Sequence, residues 1–390
     1  MIKKIAAQYV FTNTGAPIKN GVVAYNDTNG EIVAITQLQK ETANTVFYNG
    51  ILVPGFVNAH CHLELAYAKG LIPQCKHLTD FLRQITQIQN STKFNIADCI
   101  DADNEMYKNG INAVGDISNT EQSASVKANS KIRYYNFVEL IGTTSERINL
   151  NRQTYQKVAN SFADKGLKDI CAVPHSPYFV SNNQFDDINN LNVNNKKVVS
   201  IHNQETNAEN ELFVNHTGDF AKYFPSMTAN IAVTGKKSLP SYCQHLAEYQ
   251  NVLLIHNTFS TREDFKYALE TLKNPFFVLC PKSNLYLEGR LPDVDTMLDM
   301  NLTLCIGTDS LSSNNTLSIL EEMKVLALKF KRLTFEKLLQ MATINGAKAL
   351  MLNNEYGTLE IGQQPGLLLI ENFDFLSFNI CNDTTIKRIC

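Results

Sequence analysis

The chain has 390 residues, 44% of them apolar and 19% charged, with a formal net charge of −3. That composition suits a folded globular protein and excludes a disordered one. Neither sign of charge clusters, which speaks against a nucleic-acid partner or an anionic membrane surface. Nine cysteines occur with no CxxC spacing, so neither a zinc knuckle nor a disulfide framework is expected, and the thiols read as reduced.

The opening stretch "MIKKIAAQYVFTNTG" has no signal-peptide core, because Gln8 interrupts its apolar run; it reads as a β-strand. "GVVAYNDTNGEIVAI" predicts two strands around Asn29-Gly30, a hairpin signal. No run is long enough for a membrane span, and the cytoplasm is the expected location. Eight near-continuous apolar runs then follow: "FVNAHCH", "INAVGDIS", "IRYYNFVEL", "DICAVPHS", "KVVSIHN", "NVLLIHN", "FFVLCPKS" and "LTLCIGTD". Such runs suit parallel strands buried on both faces. Segments with helical spacing separate them, among them "LTDFLRQITQIQN" and "TREDFKYALETLKN". Eight strands alternating with helices predict an α/β fold, a (β/α)8 TIM barrel over 54–354. Residues 1–53 and 355–390, strand-like at both ends, predict a composite small β-sandwich domain. About fifty residues separate "SIHN" from "LIHN", which predicts extra helices over the mouth of the barrel.

In such a barrel the reactive groups sit at the C-terminal strand ends. His60 and His62 close the first run, His175 the fourth, His202 the fifth, His256 the sixth and Asp309 the eighth. A period of two puts His60 and His62 on one side of their strand and turns Cys61 away. A lone strand-end histidine is more often a hydrogen-bonded core residue, but this convergence in barrel order is not a lone histidine. Neutral imidazoles with one carboxylate suit a single divalent ion, zinc before iron or manganese. Glu205, three residues past His202, is placed as a proton-carrying base beside the ion, with Asp309 and His256 counted with it as catalytic. His77, His216 and His245 fall in helical or loop segments and read as surface residues. Competing signatures fail: the chain has no HExxH, no GxG, no GxSxG, and no PCxxC to accompany His62-Leu63-Glu64.

At these residues the chain resembles the amidohydrolase superfamily, in the aminohydrolase branch that holds guanine deaminase, adenosylhomocysteine deaminase and the triazine hydrolases. The likeness runs through "VPGFVNAHCHLEL", "VPHSPYFVS", "IHNQET", "LIHN", "LCPKSN" and "GTDSLSSN", then "NGAKAL" and "GTLEIGQQPG". It implies that His60, His62, His202, His256 and Asp309 hold one metal ion, that Glu205 shuttles the proton and that His175 meets the substrate. The fourth run has no lysine at its end, so one ion is expected rather than two. Glu64 and "FVELIG", with Glu139, are similar to aminodeoxyfutalosine deaminases, which implies that both carboxylates touch substrate. The implied activity is hydrolytic deamination of a small aminated heterocycle, a purine-like base or nucleoside, with no nucleic-acid or membrane partner and with a homodimer as one assembly. Two alternatives stand beside it: hydrolysis of an amide, urea or carbon–halogen bond at the same ion, and a non-catalytic metal-binding barrel.

Overall fold

The computed structural model describes residues 1–38, 44–75 and 77–390. Four strands open the chain: β1 (Ile2–Val10), β2 (Ile18–Asn26), β3 (Ile32–Gln37) and β4 (Thr45–Pro54). Eight follow through the middle: β5 (Phe56–Cys61), β6 (Ile111–Ile117), β7 (Arg133–Leu140), β8 (Ile170–Pro174), β9 (Val198–Asn203), β10 (Asn251–His256), β11 (Pro275–Leu279) and β12 (Leu304–Ile306). β13 (Leu367–Glu371) and β14 (Thr385–Arg388) close it.

Strands from both ends share one six-stranded sheet in the order β14-β13-β4-β1-β2-β3. The expected hairpin joins β2 to β3 antiparallel. Its turn is held by Asn26 N donating to Glu31 O at 2.8 Å, with Gly30 at φ +75°, a conformation open to glycine.

The middle strands form two four-stranded sheets, β5-β6-β7-β8 and β9-β10-β11-β12, parallel throughout. Every residue of β5, β9 and β10 is buried, and the helix Ile344–Ala349 packs against both β5 and β10. Full burial of each such Val, Leu or Ile contributes about 1.5–3 kcal/mol. The two sheets meet along both edges. On one, His202 N donates to His175 O at 3.0 Å; on the other, Thr308 N and Asp309 N donate to His60 O at 3.0 and 3.1 Å. Asn58 strengthens the second junction, donating from Nδ2 to Thr308 Oγ1 at 2.7 Å. Gly307 permits that approach, since a Cβ there would lie 2.9 Å from both Cβ and O of His60.

The connections are helical: α1 (Leu78–Ser91) and α2 (Ile96–Lys108) before β6, α3 (Ala124–Asn129) before β7, α4 (Ser145–Asp164) before β8, α5 (Asn182–Leu191) before β9 and α6 (Asn207–Asn215) after it. Their starts follow local chemistry. Asn95, Thr144 and Ser181 each accept a backbone N–H of the first turn. Between β9 and β10 lie α6 and further short helices, Gly218–Tyr223, Pro225–Thr228 and Ser238–Tyr242, as the long interval in the sequence predicts. All nine cysteines are free and seven are buried. No helix among the described residues is long and apolar enough to cross a membrane.

Candidate metal centre and active site

β5 aims the paired imidazoles by its own pleat. Cys61 turns outward, its Sγ 4.0 Å from Met106 Sδ on α2, while His60 and His62 turn inward with their Nε2 atoms 3.1 Å apart. The backbone just after His62 is anchored by Asp116, whose Oδ1 accepts Leu63 N at 2.8 Å. Asp116 in turn pairs with Lys127 at 2.5 Å, both side chains fully buried. Lys127 is further satisfied by Ser118 Oγ at 2.6 Å and Asn136 Oδ1 at 3.0 Å, which is what a buried cation requires.

His202, from β9, brings its Nε2 to 3.4 Å from that of His62. Ligand atoms of His60, His62 and His202 all lie within 4.8 Å of one another. Two nitrogens held by a tetrahedral zinc at about 2.0–2.1 Å would be roughly 3.3 Å apart, so these spacings fit. Asp309 places Oδ1 3.5 Å from His62 Nε2 and 3.8 Å from His60 Nε2. Its Oδ2 is fixed by Ser283 Oγ at 2.5 Å and Ser313 Oγ at 2.8 Å. His256 stacks on His202, ring centroids 5.4 Å apart. Its Nε2 lies 3.3 Å from Glu205 Oε1 without the angle of a hydrogen bond.

Charge and burial agree with a cation between these groups. Burial, then the neighbouring imidazoles, hold His60 well below its usual range. Burial is also the main cause that brings His202 down to about 3 and His256 to about 4. Neutral rings offer lone pairs, which is the form a metal takes. Burial alone would raise Asp309, but His62, His256 and the Ser283 hydroxyl carry it below the usual carboxylate value. Glu205 goes the other way: burial first, then the charges of Asp309 and Glu209, push it well up. His60, His62 and His202 with Asp309 therefore fit a divalent ion, with the buried Glu205 carboxyl nearby.

The backbone at these strand ends is unusual. Gln204, His256, Asn257 and Asp309 have φ of +43°, +72°, +57° and +57°, a region that non-glycine residues rarely occupy. Hydrogen bonds offset the strain. Asn257 Nδ2 donates to Leu254 O at 2.7 Å, Asn203 Nδ2 to Asn257 Oδ1 at 3.0 Å, and Ser260 Oγ to Gln204 Oε1 at 2.6 Å. Glu209 holds the turn that carries Glu205, accepting Gln204 N at 2.9 Å and Glu205 N at 3.3 Å. Burial lifts the Glu209 carboxyl to about 7.

A cavity of about 180 Å³ opens beside the cluster, bordered by His62, His175, His202, Glu205, His256 and Asp309. Its far wall is apolar, with Leu78, Phe81, Leu82 and Ile85 from α1 facing Phe224 and Met227 from the helical insertion. A more polar cavity of about 690 Å³ adjoins it and shares His62, Leu65, Gln89 and Asn119.

Every site residue expected from the sequence lies in this region, though not all in the same way. Glu64 borders the second cavity. It accepts Asn119 N at 2.9 Å, Thr120 N at 3.1 Å and Ser123 Oγ at 3.1 Å, so it holds the loop after β6. Glu139, with 1% of its side chain exposed, accepts His175 Nδ1 at 2.9 Å. His77, His216 and His245 stay outside the cluster, and His245 pairs with Asp186 at 3.6 Å. Sequence reasoning missed Ser283, Ser313 and Glu209. The serines stand inside "LCPKSN" and "GTDSLSSN" with nothing local to single them out. Glu209 had a signal, the Thr206-x-x-Glu209 pattern of a helix start, although its carboxylate reaches past Thr206 to the two residues before it.

Comparison with known proteins agrees with this geometry. The amidohydrolase family pattern matches residues 51–388. A Helicobacter pylori protein named adenosine deaminase is 27% identical over 344 residues, covering 87% of this chain and 83% of that one. The crystal structure of Helicobacter pylori aminofutalosine deaminase in complex with methylthio-coformycin superposes with a TM-score of 0.81 at 24% identity, over 94% of this chain and 92% of that one. An adenosine deaminase from Xanthomonas campestris with bound zinc superposes with a TM-score of 0.74 at 23% identity, over 96% of this chain and 85% of that one. With the family pattern spanning both parallel sheets and their histidines, the chain belongs to the amidohydrolase family.

Proposed function

We propose that the protein is a hydrolytic deaminase of an aminated purine base or nucleoside, working at a single zinc ion. On this reading β5 to β12 are the eight strands of a (β/α)8 barrel over 54–354, and 1–53 with 355–390 make a small β domain. His60, His62 and His202 would hold the ion, together with His256 and Asp309. Zinc in the Xanthomonas campestris relative supports that choice of metal. A bound divalent ion supplies Lewis acidity, which lets water give up a proton near neutral pH.

The observation that carries the reading is the position of Glu205. It is buried, it borders the cavity beside His256, and its carboxyl is pushed up by its surroundings. A purely structural ion needs no such neighbour. Glu205 takes the proton of the attacking water as the oxygen adds to the ring carbon that bears the amino group. It returns that proton to the amino nitrogen, the carbon–nitrogen bond breaks, and ammonia leaves. His175, 15% exposed, stands at the cavity edge to meet charge that develops on the ring. The apolar wall suits the faces of a heterocycle. Among the described residues no lysine or arginine lines this cavity, while Lys93 borders the adjoining one; the reacting base itself therefore meets no cationic side chain. The names of the adenosine and aminofutalosine deaminases above support the adenine-like choice.

The test is ammonia release from a panel of aminopurines, their nucleosides and their 5′-phosphates, with zinc-loaded protein. Turnover of at least one uncharged aminopurine compound, lost in Glu205→Gln, is expected. Activity confined to amides or halogenated rings would overturn the substrate class.

A further inference from the structure

His175 faces the cavity, but its other ring edge has a partner whose arrangement goes beyond substrate contact. Glu139 lies near the end of β7, one residue before Leu140, and its side chain is 1% exposed. Oε2 accepts the Nδ1–H of His175 at 2.9 Å. Oε1 lies 3.4 Å from His202 Nδ1 and has no hydrogen-bond partner. The reason is that His202 donates its Nδ1–H instead to the backbone oxygen of His175, at 2.7 Å. Three contacts thus close a ring: Glu139 to the His175 imidazole, the His175 backbone to the His202 imidazole, and His202 back to Glu139. Both carboxylate oxygens are turned on imidazole edges, at the border of the cavity.

Resting on the deaminase reading above, we propose that Glu139 is a positioning residue that acts through His175 and not on the substrate. It holds the Nδ1–H of that ring so that Nε2 is the atom presented to the cavity, and it ties this substrate-facing imidazole to the metal-holding imidazole of His202. The physical basis is that the two ring nitrogens of histidine are distinct, and the partner of one decides what the other can do. A ring flip at His175 would break the 2.9 Å bond and leave a buried carboxylate facing carbon. The sequence expectation is that Glu139 touches substrate, and Glu139 does border the cavity; the role proposed for it is to position His175.

The test uses the full-length protein, Glu139→Gln, His175→Ala and the double variant. Nitrogen-15 spectra of the imidazoles come first and need no substrate: His175 is expected to carry its proton on Nδ1 in the parent. A parent His175 protonated at Nε2 with Nδ1 bare overturns the proposal, whatever any variant does. In zinc-loaded protein, Glu139→Gln is expected to lower kcat and speed zinc loss to a chelator, each by about 10–100-fold, with KM little changed. The double variant should be no more than about threefold slower than His175→Ala alone, because residues that act as a unit are not additive. A raised KM at unchanged kcat would identify Glu139 as a direct substrate contact and overturn the proposal, as would fully additive losses. If the parent releases no ammonia from any nucleoside, the deaminase reading fails by itself, and the nitrogen-15 spectra and zinc-loss rates still decide the role of Glu139.

Discussion

The two parallel sheets both deliver side chains to the cluster, by different means. The first, β5 to β8, does so with ordinary strand backbone. His60 and His62 are aimed by pleat alone, and Glu139 and His175 meet side chain to side chain across β7 and β8. Among the described residues, no non-glycine residue between Asn44 and Gln204 has a positive φ. The second sheet, β9 to β12, bends its chain where the strands end. Gln204, His256, Asn257 and Asp309 all take left-handed conformations there. The difference teaches that strand alternation can aim two residues at one point when they are two apart. Glu205, His256 and Asp309 come from three strand ends of the second sheet, and there the backbone turns at or beside each of them. Each such turn costs on the order of 1–3 kcal/mol, and the buried amide and hydroxyl network of Asn203, Asn257, Ser260, Ser283 and Ser313 offsets it.

Four substitutions would break or sharpen that contrast. The largest effect is expected at Glu205, which the bent second sheet places. Glu205→Gln should lower turnover by about 10²–10⁴-fold, and elemental analysis should find zinc still bound. Loss of the ion would mean that Glu205 is a ligand, and the separation between holding the metal and moving the proton would collapse. Next is the brace beneath it. Burial raises Glu209 to about 7, above the model-peptide value of 4.5, so its protonated form is favoured in the fold. The resulting stabilisation is complete below pH 4.5 and is lost as pH rises through about 7. Urea melts of the parent should therefore fall more steeply over that window than those of Glu209→Gln, by a difference on the order of 3 kcal/mol. Equal slopes in the two proteins would show that the turn does not depend on this carboxyl.

A smaller effect is expected from the hydroxyls on Asp309. Ser313→Ala removes a 2.8 Å donor from Oδ2 and should weaken zinc binding by about 10–100-fold, read by competition with a coloured chelator. No change would assign the orientation of Asp309 to Ser283 alone. The smallest is at the seam between the sheets. Gly307→Ala introduces a Cβ 2.9 Å from His60 Cβ and O and should lower stability by about 1–3 kcal/mol, measured by thermal unfolding. Full stability would show that the first sheet yields readily at its edge.

Much of this was legible in one dimension. HxH on an apolar run declares a two-sided strand with a chelating face, and the placement of His175, His202, His256 and Asp309 at the ends of further runs follows from the same alternation of strand and helix. Ser283, Ser313 and Glu209 were not legible as site residues, because serine and a helix-start glutamate have abundant local uses. Only contact with Asp309, or with the Gln204–Glu205 turn, distinguishes them. Glu64 and Glu139 were legible as residues near the site, but the donors that hold them were not. A carboxylate's role depends on which donors surround it, and those donors lie 55 residues or more beyond Glu64 and 36 beyond Glu139.

The order of strands and helices, the paired imidazoles and the carboxyl three residues past His202 were determined by the sequence alone. Hydrophobic period and residue spacing act within a few residues, and they do not need the rest of the chain. The meeting of two sheets along their edges, the left-handed turns at the strand ends and the contacts among Glu139, His175 and His202 were decided only by tertiary structure. Those arrangements are long-range: each is stable because groups distant in the chain exclude water together, and no local preference of the residues involved would select it.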